Sequence, residues 1–344
     1  MYSFVNDYSE GCHPSIMAKL QETNMEQTTG YGFDPHCDNA RKLIRKACNR
    51  PDAAVHFFVG GTQTNLTIIG SMLRPHQAVY GAVPSHINTH EAGAIERTGH
   101  KVIALPSKNG KLTAEQVEEA QLEYLQDPSR EHLAQPKMVY ISQPTEIGTL
   151  YYKHELKDLY GTCQRYGLYL FIDGARMGYG LAADGNDVKL SDLAMFCDIF
   201  YIGGTKCGAL LGEAAVILNP ALKEDFFTIM KGAGAVLAKG RIIGIQFETL
   251  FTDNLYIDIC RHAINMAMLI RDAIWAKNLH VLTESATNQQ FPIMPRALYE
   301  KIAAKYEIAL WANLPDDMVV CRICTSWATD EKIVHQFIQD FLAM

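Results

Sequence analysis

The chain has 344 residues, 48% of them hydrophobic and 20% charged, and its 31 Lys and Arg against 38 Asp and Glu leave a net charge of −7. This composition buries a substantial core and excludes a disordered tail or a collagen-like repeat, while the acidic balance argues against a nucleic-acid binder, which usually presents a basic stripe. No apolar run approaches the roughly 20 residues a bilayer requires, and the start Met1-Tyr2-Ser3-Phe4-Val5-Asn6-Asp7 has neither a basic n-region nor a continuous apolar h-region, so the expected compartment is the cytoplasm.

In chain order, the segment up to about Tyr31 is rich in polar turns and is expected to wrap over a neighbour or the active site. Residues 55–59, 101–105, 137–141, 168–172 and 198–202 are near-continuous apolar runs, the type buried on both faces of a sheet. Between them lie helical patterns at 113–126, which opens Thr113-Ala114-Glu115-Gln116 like a capping box, and at 154–166. Alternating strands and helices predict an α/β fold with a mostly parallel sheet sandwiched by helices, its chemistry at the carboxyl edge of the strands. Residues 226–275 read as almost entirely helical, including a long helix leading out of the large domain. Beyond it, 279–282, 308–311 and 318–324 read as strands, with helices around 296–306 and 330–342, enough for a small C-terminal α+β domain. The expected division is an N-terminal segment 1–31, a large domain 32–245 and a small domain 246–344 that includes the long helix.

The nine cysteines, odd in number and irregular in spacing, read as reduced thiols. Cys321 and Cys324 have metal or redox spacing but no second Cys/His pair nearby, and they lie in a strand-like run. Two packed thiols are expected there, and no metal site.

Five features fall at strand ends. Gly60-Gly61-Thr62-Gln63-Thr64-Asn65 follows the first strand and opens a helical run, where glycines let backbone N–H groups approach an anion at a helix N-terminus. It is neither a Walker A loop nor a G-x-G-x-x-G fingerprint, and a plain tight turn is the bland alternative. Asp173 in Ile172-Asp173-Gly174-Ala175-Arg176 ends a fully apolar strand; it is either a helix N-cap or a carboxylate that needs a partner. Lys206 in Ile202-Gly203-Gly204-Thr205-Lys206-Cys207-Gly208 sits among small residues that leave room for an amine, and a desolvated amine becomes nucleophilic. His86 in Ser85-His86-Ile87-Asn88-Thr89-His90-Glu91-Ala92-Gly93-Ala94 precedes a helix start. Arg322, in an apolar strand, wants an anion.

A lysine and an aspartate at successive strand ends, with an anion cup, match the needs of pyridoxal 5'-phosphate. The lysine binds the aldehyde, the aspartate keeps the pyridine nitrogen protonated, and the helix N-terminus takes the phosphate. The competing reading from another class is a nucleotide-binding protein using the Gly60 turn and Asp173, which leaves Lys206 unexplained.

At these residues the chain resembles the threonine aldolase and β-eliminating lyase family of fold-type-I pyridoxal-phosphate enzymes. The resemblance is carried by Tyr31-Gly32-Phe33-Asp34-Pro35, the Gly60 turn, His86 through Glu91-Ala92-Gly93, Asp173-Gly174-Ala175-Arg176, the Thr205-Lys206 loop and Arg322. It implies a seven-stranded large domain, with Lys206 as the Schiff-base lysine and Asp173 as the partner of the pyridine nitrogen. It also implies that Gly60, Gly61, Thr62 and Thr205 lie around the phosphate, that His86 stacks on the ring and that Arg176 and Arg322 hold a substrate carboxylate. Tyr31 and Asn6 would line the substrate side. Either Lys239 or Arg241 would reach the phosphate, often from a neighbouring subunit, with Lys239 preferred. A homodimer or homotetramer with shared sites follows.

There are departures: Gly60-Gly61-Thr62 stands where many aldolases of the family have Ser-Gly-Thr, Asn6-Asp7-Tyr8 where Ser-Asp-Thr is usual, and Gln143-Pro144-Thr145 where an Asn-Thr pair is usual. The activity implied is retro-aldol cleavage of a β-hydroxy-α-amino acid such as threonine or allo-threonine to glycine and an aldehyde, with His86 or a water it positions as base. β-Elimination of a thioether or aromatic leaving group, and transamination, use the same apparatus and remain open at this point.

Overall fold

A computed structural model describes residues 1–344. The expected α/β sheet has seven strands: β1 (Ala54–Phe58), β2 (Gln77–Ala82), β3 (Val102–Leu105), β4 (Gln135–Ser142), β5 (Tyr169–Asp173), β6 (Ile199–Gly203) and β7 (Glu213–Ile217). Their order is β1-β7-β6-β5-β4-β2-β3. Only β7 runs against its neighbours, β1 and β6, so β7 begins at the edge where β1, β4, β5 and β6 end. The expected strands 55–59 and 198–202 are each shifted by one residue. Strands β2 and β7, both wholly buried, do not stand out in the sequence: Gly81 interrupts the apolar run of one, and two alanines weaken that of the other.

The helix Ala114–Gln126 is capped as its sequence predicts. Thr113 Oγ1 accepts from Gln116 N and the Gln116 side chain accepts from Thr113 N. The helical stretch after 226 is three helices, Phe226–Gly232, Arg241–Leu250 and Leu255–Ala276. The last buries Tyr256, Ile259, Cys260, Ala263 and Ile264 in the core against the large sheet. One turn later, Met266, Ile270, Ala273 and Ile274 enter a separate core with Val319, Phe337 and Phe341. Spacings of three and four keep these side chains on one stripe, and each large buried side chain contributes about 1.5–3 kcal/mol.

The second core is covered by a smaller sheet of β8 (Gln289–Gln290), β9 (Ile293–Pro295), β10 (Ala309–Asn313) and β11 (Met318–Cys324), all pairing around β11. The strand expected at 279–282 is reduced to a single bridge between Val281 and Pro292, because its neighbours turn away in bends. The segment before Tyr31 is more ordered than its polar turns suggest. Tyr2–Ser3 pairs with Tyr306–Glu307, Phe4 is buried against Phe337, and Pro14–Glu22 is a helix. Anchoring the start of the chain in the second core draws Val5, Asn6 and Asp7 toward the carboxyl edge of the large sheet. All nine cysteines are free, with Cys321 and Cys324 buried in β11. No helix is long and apolar enough to cross a membrane.

Candidate active site

Asp173 is the last residue of β5 and only 4% exposed. Its Oδ2 accepts from Asn65 Nδ2 at 3.0 Å and from the Tyr140 hydroxyl; its Oδ1 accepts from Ala175 N at 2.9 Å and from the Tyr201 hydroxyl. Burial alone would push this carboxyl up, but the neighbouring His86 and the hydrogen bonds from the two phenols outweigh it and hold it below the usual carboxylate range. The phenols are supplied by the sheet register. Ser142 pairs with Asp173, so Tyr140, two residues earlier on β4, shares its face, while Tyr201 follows the Phe200–Ile172 pair on β6.

Lys206 reaches the same cavity because glycines let two strand-end loops touch. A Cβ on Gly174 would lie 1.9 Å from Tyr201 O, one on Gly203 2.3 Å from Ala175 O, and one on Gly204 2.6 Å from Gly212 O. No other residue permits these approaches. The Lys206 Nζ has no hydrogen-bond partner in the chain. Burial pulls its pKa down, and Arg176 adds to that, against the opposing pull of Asp7, Asp173 and Glu213. Desolvation of this kind favours the uncharged, nucleophilic form of an amine.

The Gly60 turn leads straight from β1 into the helix Gly61–Met72, with no side chain capping its first N–H groups. At Gly60 an added Cβ would meet nothing within 4 Å, whereas at Gly61 it would meet the Tyr201 hydroxyl at 3.1 Å. The turn therefore presents free backbone donors and open space to the cavity, the two requirements of an anion cup.

His86 Nδ1 bonds Glu91 Oε1 at 2.8 Å, and that oxygen also accepts from Asn65 Nδ2 at 2.7 Å. Asn65 thus ties the His86–Glu91 pair to Asp173, and His86 Nε2 is left free. Arg176 is bidentate to Asp7, at 2.7 and 2.9 Å, and Asn288 also donates to Asp7. Burial opposes the charge on Asp7, but Arg176 keeps its pKa lowered. Arg322 has no carboxylate partner: Nη2 donates to Val5 O at 2.8 Å, its guanidinium lies 5.2 Å from the Trp311 ring, and its Nε is buried without a hydrogen bond.

One cavity of about 290 Å³ is lined by Gly60, Gly61, Thr62, His86, Asp173, Arg176, Thr205 and Lys206. Five of the expected site residues lie elsewhere. Asn6 closes a local turn with Tyr8 N and Ser9, and Tyr31 lies under Lys231, 3.9 Å from its ring centre. Arg241 spends its guanidinium on the Glu26 and Asn24 carbonyls, whereas Lys239 is exposed and bonds nothing. Arg322 stands behind Val5. Sequence reasoning missed Tyr140, Tyr201 and Asp7 as partners, and it missed Glu146 and Glu213 on the cavity wall. The phenols looked like ordinary strand aromatics. Glu213 carried a signal, a carboxylate opening an apolar pentapeptide, that went unread because β7 itself was not recognised.

The comparisons with known proteins agree with this geometry. A family model described as β-eliminating lyase matches residues 7–294. A low specificity L-threonine aldolase from Pseudomonas sp. is 31% identical over 345 residues, 99% of this chain and 97% of its own length. A solved threonine aldolase structure from Leishmania major has a TM-score of 0.96 at 44% identity, covering 99% of this chain and 98% of that one. An aspartate aminotransferase from Thermus thermophilus, 14% identical with a TM-score of 0.71 over 97% of this chain and 89% of its own, shares the fold.

Proposed function

The chain belongs to the threonine aldolase and β-eliminating lyase family, with the fold-type-I architecture of pyridoxal-phosphate enzymes, and on that premise we propose that it cleaves threonine or allo-threonine to glycine and an aldehyde. The observation that carries the proposal is the shared cavity of an unpartnered, partly desolvated amine on Lys206 and a carboxylate on Asp173 whose ionised form four donors stabilise.

The residues present fit pyridoxal 5'-phosphate. Lys206 would hold its aldehyde carbon, Asp173 its ring nitrogen, and the uncapped N–H groups at Gly61 and Thr62 its phosphate. When bound, the group supplies an electron sink for the carbanion left at Cα. Asp173 keeps its charge because four donors stabilise the ionised form. Arg176, which lines the cavity and is already half-neutralised by Asp7, would hold the substrate carboxylate, and Arg322, outside the cavity wall but matched by no carboxylate of the chain, would join it only if Val5 gave way. His86 holds its Nδ1 on Glu91 and offers Nε2 to the β-hydroxyl proton, directly or through one water. Lys239 extends toward a second copy of the chain in a homodimer or a dimer of dimers, where it would meet that copy's phosphate.

Incubating purified, cofactor-loaded enzyme with threonine and allo-threonine tests the reading. Glycine and acetaldehyde in equal amounts are expected. Formation of 2-oxobutyrate and ammonia instead, or turnover of cysteine conjugates to pyruvate without any aldehyde from threonine, would overturn it.

A further inference from the structure

The chemistry above leaves two carboxyls of the cavity wall unused, Glu146 and Glu213, and Glu213 is the more buried. Glu213, 4% exposed, opens β7. Because β7 alone runs antiparallel, its first side chain stands at the carboxyl edge of a sheet whose other strands arrive there with their last. Its ladder partners are Phe58, at the end of β1, and Gly203, at the end of β6. Phe58 leads within two residues to Gly60, and Gly203 within two to Thr205. The carboxyl is therefore flanked by the uncapped helix N-terminus on one side and the Lys206 loop on the other. Its Oε2 accepts from Gly204 N at 3.0 Å, the Thr205 hydroxyl lies beside it, and no cation lies within ion-pair distance.

An ionised carboxylate in that position would face a phosphate dianion across the same cup, with little water between to screen it. A neutral carboxyl reverses the sign of the interaction, since its O–H donates to an anionic oxygen. Resting on the cofactor reading given above, we propose that Glu213 is a proton-bearing wall of the anion cup, donating a hydrogen bond to the phosphate so that cofactor affinity depends on one carboxyl proton.

The surroundings favour the neutral form. Burial pushes the Glu213 carboxyl up to about 8, against the weaker opposing pulls of Thr205, Lys206 and Gly204 N, and Asp173 adds to the rise. Tyr201 faces it from β6 as a protonated phenol. On β1 the nearest titratable group is His56, opposite Ala215 and pushed down to about 4 by burial. The helix Gly61–Met72 contributes no titratable side chain. On the helix Arg241–Leu250, Ile243 packs on Gly212, while Arg241 is held by backbone carbonyls and Glu248 by His36.

The test uses the apoenzyme and 4'-deoxypyridoxine 5'-phosphate, which carries ring and phosphate but no aldehyde to react with Lys206. Its Kd is measured by calorimetry from about pH 6.5 to 9.5 for the wild type and Glu213→Gln, an isosteric neutral donor. Wild-type affinity is expected to fall about tenfold per pH unit above about 8, roughly thirtyfold between pH 7 and 9.5. Glu213→Gln should match the wild type at pH 7 and change less than about threefold over that range. An equal pH slope in both proteins overturns the inference, as it would if Lys239 of a second subunit held Glu213 ionised. Should the variant fold poorly, calorimetry of the wild type in buffers of different ionisation enthalpy decides: uptake of close to one proton per probe at about pH 9 is expected, and none overturns it. Failure of folded protein to bind the probe at any pH overturns the cofactor reading itself.

Discussion

At one end of the cavity Asp173 meets four hydrogen-bond donors, whereas at the other Lys206 meets none and Glu213 accepts a backbone N–H from Gly204. The Asp173 end is assembled from three adjacent strands and one helix, so its charge is fixed by structure that must fold for other reasons. The Lys206 end is held by glycine-packed loops and one antiparallel strand, and burial rather than partners shifts its groups, the Lys206 pKa down and the Glu213 pKa up. The contrast separates two tasks that an active site of this kind combines: keeping one charge constant, and keeping an amine and a proton free to move.

Lys206→Ala should break the contrast most visibly. Activity should fall by at least about 10⁴-fold, yet the melting temperature of the apoprotein should hold or rise. Because burial lowers the lysine pKa, the folded state binds that proton less tightly than the unfolded state. At neutral pH the lysine is therefore a stability deficit that alanine removes. A fall of many degrees would show that the amine is structurally partnered after all.

Asp173→Ala tests the opposite end, where activity and stability should be lost together. It leaves two phenols, an amide and a backbone N–H facing a hole, so urea unfolding should report a loss of about 2–5 kcal/mol, with kcat down about 10²–10³-fold. Retained stability would mean the donors find new partners and the end is less rigid than its geometry indicates.

Tyr140→Phe is the finer probe. Removing one of two phenol donors should cost about 1 kcal/mol and no more than about tenfold in kcat. Since the lost bond lowers the Asp173 pKa, the acid limb of the kcat profile should move to higher pH. An unchanged acid limb would separate that limb from Asp173.

The two ends also differ in how readable they are from sequence. Asp173 and Lys206 stand out because each is a lone charge at the end of an apolar strand, where burial makes an unpaired charge costly and therefore informative. The Gly60 turn is readable for its position between strand and helix. Tyr140 and Tyr201 are not, because strand register rather than residue type turns them toward Asp173. Nor is Asp7, which reaches Arg176 only because Phe4 is pinned in a core built more than 250 residues later, around Phe337 and Tyr306. Strands β2 and β7 escape a search for apolar runs because glycine and alanine dilute them, and Glu213 is hidden with β7. The reverse error, the strand expected at 279–282, arises from a short apolar stretch that has only Pro292 to pair with.

The most direct test of the central claim is to reduce the cofactor-loaded enzyme with borohydride, digest it and locate the pyridoxyl phosphate by mass spectrometry. The account predicts the label on the peptide carrying Lys206 and nowhere else. A label on Lys239 or any other lysine, or none at all from protein that has bound the cofactor, would contradict it.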